Sequence, residues 1–277
     1  MQKLKIVKSP RLEDNEQFDH FLRQLPQTFD ALGTPIHQGR NVIRLVDATT
    51  LDVGCEQMAI KHFHGLLFFQ KWDYTFRRKP KCERAFLNTV ELRRRGFSVA
   101  NELAYVEVWN HGLYQRSYYL SEVAQGQRLD SLVMAMRERG EEAAIRELIG
   151  EYAALVKRLH EHGVLYWDMN CGNVICSRPD AGAPWHFTLI DTNRVRFFDE
   201  HTPLGLDTVV GDLILMNPRM GTVELFIAEY LKQRGLYTEE EARRIRQIQR
   251  ERYEKKRFTW KRLFKRFKGQ YYKLLGK

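Results

Sequence analysis

Alternating apolar and polar positions predict strands in the first half of the chain. The candidates are four short runs that alternate or are rich in β-branched residues: NVIRLVDA (41–48), EQMAIKHFH (56–64), ELAYVEVW (102–109) and SYYLSEV (117–123). The run KCERAFLNTVELRRR (81–95) has helical spacing instead, and Gly96 follows it as a stop signal. The first half is therefore predicted to be β-rich with one helix.

The second half has mostly helical periodicity. A helical stretch opens at AQGQRLDSL, and residues 141–163 form a long amphipathic pattern that ends at Gly163. The run HFTLIDTN (186–193) predicts a strand, and the chain after about 205 has a helical pattern. A β-rich part followed by a helical part predicts an α+β protein with the two lobes of a protein-kinase-like fold.

Composition limits the class of protein. Hydrophobic residues make up 43% of the 277 residues, which is enough for a sizeable core. The four cysteines are too few and too scattered for a disulfide scaffold, so we expect a reducing compartment. The net charge of +10 is concentrated in residues 241–277, where 15 Lys and Arg face three Glu.

The segment VLYWDMNCGNVIC (164–176) carries the candidate chemistry. Asp168 and Asn173 have the Asp-x4-Asn spacing of a kinase catalytic loop, which supplies a base and one metal ligand. Asp191 ends a strand, as the other metal-binding Asp of kinases does, and Lys61 in MAIK matches the phosphate-binding lysine. The spacing alone is weak evidence, and the order of all four residues along the chain is stronger.

These segments resemble the lipopolysaccharide kinase (Kdo/WaaP) family of Gram-negative bacteria. The similarity is carried by LHEHGVLYWDMNCGNVIC, by FTLIDTNRVRF and by the run from AIKHF through RRKPKCERAFLNTVELRRRGFSVANELAYVE. The resemblance implies phosphorylation, dependent on ATP and Mg²⁺, of an inner-core sugar, Kdo or heptose. The acceptor would be a lipid A-linked core oligosaccharide at the cytoplasmic face of the inner membrane.

The resemblance also implies a role for individual residues. Asp168 would be the catalytic base, Asn173 and Asp191 the Mg²⁺ ligands, and Lys61 the phosphate contact. The remaining candidates for nucleotide binding are Gly39 in the nucleotide loop, the backbone around Glu122 and Ala124 at adenine, and Glu83 as the partner of Lys61. Glu91 is the alternative partner.

The sequence departs from the family pattern in the catalytic loop. Tyr166 replaces the family's His, and Trp167 occupies the position of the Arg that protein kinases pair with a phosphorylated activation loop. The nucleotide loop has no GxGxxG. These departures keep other functions open: a protein kinase, a small-molecule kinase of the aminoglycoside type, or a pseudokinase or RNA-binding adaptor.

Ordinary structural roles also remain open for these residues. Asn173 or Asp168 alone could close or cap a turn. The His-x-His pairs at 62/64 and 160/162 lack a third ligand at a suitable spacing, so we expect surface or core histidines there.

The basic C-terminal tail predicts an amphipathic helix on anionic lipid. Its aromatic and leucine residues recur every three or four positions between lysines and arginines: Trp260, Leu263, Phe264, Phe267, Tyr271, Leu274 and Leu275. RNA binding is the competing interpretation of this pattern, and packing against the helical lobe is another.

Together these observations predict three regions. Residues 1–123 would be the nucleotide-binding N-lobe, a five-stranded sheet plus one helix, and 124–240 the helical C-lobe with the catalytic loop. Residues 241–277 would be the membrane-binding tail. We expect a monomeric, peripheral membrane protein that does not bind nucleic acid. The sequence leaves open which sugar hydroxyl would be phosphorylated.

Overall fold

A computed structural model describes residues 2–39, 41–180, 182–216 and 221–257, and the side chains within these ranges up to residue 255. The chain divides into two compact units. The first comprises Met1–Leu129 and Gly172–Phe197, and the second comprises Asp130–Cys171 and Phe198–Lys277. Among the described residues, no helix is long and apolar enough to cross a membrane.

The first unit is built on an antiparallel six-stranded sheet with the order β1-β5-β6-β4-β3-β2. Its strands are β1 Gln2–Lys8, β2 Thr34–Gln38, β3 Asn41–Asp47, β4 Gln57–Phe63, β5 Glu102–Asn110 and β6 Leu113–Glu122. The four strands predicted from alternation are present as β3 to β6. The sheet has six strands rather than five. Strands β1 and β2 were not among the predicted runs: β1 has three apolar residues among its lysines, and β2 is exposed throughout.

Three helices accompany this sheet: α1 Glu16–Thr28, α2 Phe68–Phe76 and α3 Lys81–Arg94. The side chain of Asn15 caps α1 by accepting a hydrogen bond from the Phe18 amide at 2.8 Å. The predicted helix at 81–95 is α3, which buries Cys82, Ala85 and Phe86 in a cluster with Phe63 and two tyrosines of the sheet. Helices α1 and α2 were not predicted from the sequence.

A second, three-stranded sheet completes the first unit, with the order β10-β9-β7. Its strands are β7 Gln127–Arg128, β9 Val174–Ser177 and β10 His186–Leu189, and β11 Arg196–Phe197 follows in the chain. Strands β9 and β10 are antiparallel, and Val174 pairs with Leu189. This register brings the start of β9 beside the end of β10.

The second unit is mostly helical. Its helices are α4 Leu129–Glu138, which begins at the last residue of the first unit, α5 Glu142–Glu161, α6 Leu206–Leu213, α7 Val223–Gln233 and α8 Glu239–Arg257, and its short strand is β8 Val164–Leu165. Helix α5, predicted at 141–163, packs on α7, and the rings of Tyr152 and Phe226 stack at 5.2 Å. After α5 the chain turns at Gly163, where φ is +64° and a Cβ would lie 2.3 Å from the Asp199 carbonyl oxygen. Only glycine fits this turn.

Candidate functional site

Lys61 forms the central ion pair of the first unit. It lies on β4, opposite Ile43 of β3 and Tyr119 of β6. Its Nζ is 2.7 Å from Asp191 Oδ2, and its side chain is only 13% exposed. The Lys61 ammonium also lies 5.4 Å from the centroid of the Phe63 ring. A nearly buried lysine needs a carboxylate partner, and Asp191 supplies it.

Asp191 lies two residues after β10 in an unusual backbone conformation. Its φ of 61° and ψ of 52° are left-handed, which is uncommon for a residue other than glycine. The Asn193 side-chain amide donates a hydrogen bond to the Asp191 carboxylate. Burial raises the pKa of this carboxyl group, but the Lys61 ammonium, the Asn193 amide and the Arg194 charge together outweigh burial and hold the pKa below its ordinary value. The carboxylate is therefore ionised at neutral pH.

Asn173 lies next to Asp191 through the pairing of β9 and β10. The Ile190 amide donates a hydrogen bond of 3.0 Å to the Asn173 carbonyl oxygen, just beyond the Val174–Leu189 pair. Lys61, Asn173 and Asp191 are thus brought together within one unit, as the motif order predicted. A cation from the six-stranded sheet, together with a carboxylate and an amide residue from the end of the three-stranded sheet, are the groups that a magnesium–phosphate ligand would need.

Helix α3 is attached to the segment after Asp191 by hydroxyl and amide groups. The Thr89 hydroxyl is 3.0 Å from the Thr192 hydroxyl and 3.2 Å from the Tyr119 hydroxyl. The Thr192 hydroxyl donates to the Ala85 carbonyl oxygen at 2.9 Å, and the Asn88 amide donates to the Thr192 carbonyl oxygen at 2.8 Å. These bonds fix α3 relative to the ion pair without using a glutamate.

The two glutamates considered as partners of Lys61 pair elsewhere. Glu83 forms ion pairs with Lys5 at 3.2 Å and Lys79 at 3.4 Å. Glu91 forms ion pairs with its helical neighbours Arg94 and Arg95. The expected Lys61–Glu83 pair is therefore replaced by Lys61–Asp191. Each glutamate has a basic residue three or four positions away on the same helix or just before it, and that residue competes with Lys61. The prediction considered only the position of the glutamates relative to Lys61.

The other nucleotide-binding candidates lie at the ends of strands in the first unit. Gly39 is in the turn between β2 and β3, and its amide donates to the Asn41 carbonyl oxygen at 3.2 Å. The Glu122 amide donates to the Asn101 carbonyl oxygen at 2.9 Å, while the Glu122 carboxylate binds Arg11 and Asn101. Ala124 is half-buried just after β6. The Glu122 amide is therefore already engaged within the protein.

Asp168 belongs to the second unit, and the residues just before it are hydrogen-bonded to a buried carboxylate. Asp212 on α6 is 2% exposed and accepts hydrogen bonds from the Tyr166 amide at 2.7 Å and the Trp167 amide at 2.6 Å. Trp167 has φ of +63°, a left-handed conformation that is costly for a bulky residue. After Asp168, the Asn170 amide donates to the Asp168 carbonyl oxygen at 2.7 Å. The two bonds to Asp212 fix the backbone that enters Asp168.

One histidine of each His-x-His pair packs inside the protein. His160 is buried, with its Nδ1 2.7 Å from the Tyr230 hydroxyl and its Nε2 3.4 Å from Asp212. His62 stacks on Tyr118 at 4.4 Å, and burial lowers its pKa to about 3. In the described part of the chain, no group of three or more His, Cys, Asp or Glu is arranged to hold a metal ion.

Asp212 is a residue of the candidate site that sequence reasoning missed. It lies 44 positions after Asp168 in an apolar helical run, LDTVVGDL. The sequence feature that could have identified it is an acidic residue on the buried face of an apolar helix. Such a carboxylate needs hydrogen-bond donors nearby.

Comparison with known proteins identifies the family. The model of the lipopolysaccharide kinase (Kdo/WaaP) family matches residues 35–200, more than half of the chain. The chain belongs to this family. Membership supports a phosphotransferase that acts on lipopolysaccharide. No curated protein matches the chain in sequence.

The fold is similar to that of a solved family member. A structure described as "WaaP in complex with acyl carrier protein" superposes with a TM-score of 0.58 at 16% identity, covering 91% of this chain and 98% of that one. At this identity the likeness supports the mixed α/β fold, and the acyl carrier protein belongs to the WaaP complex.

Replacing Lys61 should change the titration of Asp191. In Lys61→Met we expect a raised Asp191 pKa, because burial is no longer opposed by the ammonium. In the native chain the Asp191 pKa is lower in the folded state than in the unfolded state. The ion pair therefore stabilises the fold fully at pH values above the unfolded pKa of about 4. That stability is lost as the pH falls through the folded value. Carboxyl ¹³C NMR across pH measures the shift.

The control for this titration is Lys71→Met, which removes an ammonium bonded to the neutral Gln115 side chain at 2.7 Å. Asp191 should titrate in this variant as in the native chain. An Asp191 titration unchanged in Lys61→Met would contradict the assigned ion pair.

Removing the Asp212 carboxylate should destabilise the protein. Asp212→Ala leaves two amides without their acceptor, one in a buried residue and one in a half-buried residue. We expect the free energy of unfolding to fall by roughly 3 kcal/mol, at about 1–3 kcal/mol for each unsatisfied group. Urea denaturation measures it. The control is Asp207→Ala on the same helix, whose exposed carboxylate pairs with Arg244 and should contribute below about 1 kcal/mol. Equal effects would refute the role of Asp212.

Proposed function

We propose that this protein is an ATP-dependent kinase that phosphorylates an inner-core sugar, Kdo or heptose, of lipopolysaccharide. The observation that carries the proposal is the contact between Lys61 and Asp191 at 2.7 Å, beside Asn173. Family membership supplies the substrate class. The acceptor in this proposal is the lipid A-linked core oligosaccharide.

The residues of the first unit fit ATP and Mg²⁺. An ionised Asp191 carboxylate and the Asn173 amide are oxygen ligands of the kind that Mg²⁺ prefers. When bound, the ion would neutralise phosphate charge as the phosphoryl group transfers. Lys61 would turn from Asp191 to a phosphate of ATP, exchanging one anionic partner for another. Gly39, Glu122 and Ala124 remain proposed nucleotide contacts.

Asp168 is proposed as the general base. It would accept the proton of the sugar hydroxyl as that oxygen bonds to the γ-phosphorus, while the bond to the leaving ADP oxygen breaks. The hydrogen bonds from the Tyr166 and Trp167 amides to Asp212 support this role, because they fix the backbone just before the base. Trp167 cannot supply the charge by which phosphorylated activation loops are bound, so we propose a constitutively active enzyme.

The basic C-terminal tail, residues 241–277, suggests where in the cell the protein acts. We propose that residues 241–277 attach a monomeric protein to the inner face of the inner membrane, where its acceptor is made. Helix α8 reaches Arg257 with many exposed basic groups. The aromatic stripe from Trp260 to Leu275 lies outside the described residues, and its lipid contact rests on the sequence pattern alone. Nucleic-acid binding is not part of this proposal.

Asp168→Asn should slow catalysis strongly while sparing nucleotide binding. The amide keeps the shape of the side chain but cannot accept the proton, so turnover should fall by on the order of 10²-fold or more. Turnover is measured with [γ-³²P]ATP and a dephosphorylated core acceptor. Stabilisation by ATP, measured by thermal shift, should persist and should require Mg²⁺. The matched control is Asp180→Asn in an exposed loop. Near-native turnover of the Asp168 variant would rule out this mechanism.

The substrate is tested by mass spectrometry of lipid A–core from cells with and without the protein. We expect the loss of one phosphate located on Kdo or heptose, restored by the native chain but not by Asp168→Asn. Unchanged core with altered phosphoproteins would show a protein kinase instead. Unchanged core together with absent ATP binding would show a pseudokinase.

A further inference from the structure

Helix α2 presents its polar side to the protein and its aromatic side to water. Thr75 accepts a hydrogen bond from the Tyr114 amide at 3.0 Å, and Lys71 Nζ bonds the Gln115 side chain at 2.7 Å. Tyr74 packs edge-on against the Tyr114 ring at 5.5 Å. These contacts attach α2 to β6 through the helix face that carries its hydroxyl and amine groups. In an ordinary surface helix, the apolar face would be the one turned inward.

The outward face carries four large rings. Phe68 is 75% exposed, Phe69 63%, Trp72 46% and Phe76 64%, and Leu67 just before the helix is 59% exposed. Phe68, Trp72 and Phe76 are four residues apart and form one stripe. Single exposed apolar residues are common on protein surfaces, but a continuous stripe of rings indicates a binding surface.

The C-terminal end of this stripe is positively charged. From Leu66 to Lys81 the chain has five basic residues and one acidic residue, Asp73. Arg77, Arg78 and Lys79 follow the helix directly and are all exposed. Arg78 lies 3.6 Å from Asp73, and Lys79 lies 3.4 Å from Glu83. Because both basic side chains are largely exposed, these ion pairs are weak, and lipid phosphates could replace the carboxylates as partners.

We propose that the aromatic face of α2 and the basic run 77–79 form a docking surface for an anionic lipid leaflet. The rings would insert among the acyl chains near the headgroups, and the guanidinium and ammonium groups would contact lipid phosphates. This surface belongs to the first unit, so it is separate from the C-terminal tail and does not depend on the identity of the sugar acceptor.

The shape of the surface favours lipid over a protein partner. The exposed rings belong to one helix, with the basic residues grouped at its C-terminal end. An interfacial helix has this arrangement, with aromatic residues on one face and Lys or Arg at the headgroup level. A protein partner would have to supply both an apolar groove and an acidic rim in matching register.

Quenching by brominated lipids tests the insertion at one residue. The full-length protein is mixed with phosphatidylglycerol vesicles that contain brominated acyl chains, and tryptophan emission is recorded. We expect strong quenching in the native chain and in the control Trp185→Phe, and loss of a large part of it in Trp72→Phe. Equal quenching in the native chain and in Trp72→Phe would overturn the proposal, even if the tail also binds the vesicles.

Co-sedimentation tests the energetic contribution of the rings. Phe68→Ser combined with Phe76→Ser should lower the affinity for phosphatidylglycerol vesicles by roughly 100-fold, because each buried ring contributes about tenfold or more. The control pair is Met134→Ser with Leu236→Ser, two apolar residues of the second unit that are 42% and 41% exposed, which should leave the affinity within a few-fold of native. Retained ATP-dependent thermal stabilisation shows that the variants fold.

Two further results would overturn the proposal. One is unchanged vesicle affinity in the ring variant. The other is a partner of a different class: if the ring variant loses binding to acyl carrier protein while its vesicle affinity is unchanged, then the surface binds protein and not lipid.

Discussion

The ion pair between Lys61 and Asp191 organises the first unit. A lysine in the middle of a sheet cannot remain nearly buried without a carboxylate, and Asp191 reaches it only because the chain leaves β10 in a left-handed conformation. The threonine contacts between Thr89 and Thr192 hold that conformation against α3. The strained turn, the buried cation and the position of α3 therefore depend on one another, and a change in any of them alters the charge balance of the proposed metal site.

In the second unit, a left-handed backbone conformation is likewise stabilised by a buried carboxylate, which here accepts hydrogen bonds from two amides. Trp167 adopts a left-handed backbone just before Asp168, and Asp212 compensates by accepting both amides that precede the base. His160 and Tyr230 surround Asp212 in the core. Burial lowers the pKa of His160, so a neutral imidazole lies beside the carboxylate and the amides remain its main donors. In both units, strain next to a proposed functional residue is offset by buried polar bonds.

The sequence predicted the elements with strong periodicity and the residues with fixed local spacing. Strands β3 to β6 and helices α3 and α5 have clear patterns, and Lys61, Asn173 and Asp191 meet in the structure as their order in the chain implied. Strand β1 was missed because it has only three apolar residues, Leu4, Ile6 and Val7, and α2 because its rings face water. The partner of Lys61 was misassigned to Glu83. Which residues of α3 face β4 depends on how the helix is rotated about its axis, and the spacing of residues along the chain does not determine that rotation.

The hydrogen bonds to Asp212 also explain how the family's catalytic-loop His and the kinase Arg can be replaced by Tyr166 and Trp167. Asp212 binds the backbone amides at these positions, not their side chains. Any residue other than proline supplies the same amide, so the loop geometry can survive a change of side chain that removes a charge. What the substitution removes is the positive charge at position 167. The loop before Asp168 is therefore held through its backbone, and the proposed absence of regulation by phosphorylation follows from the uncharged Trp167 side chain.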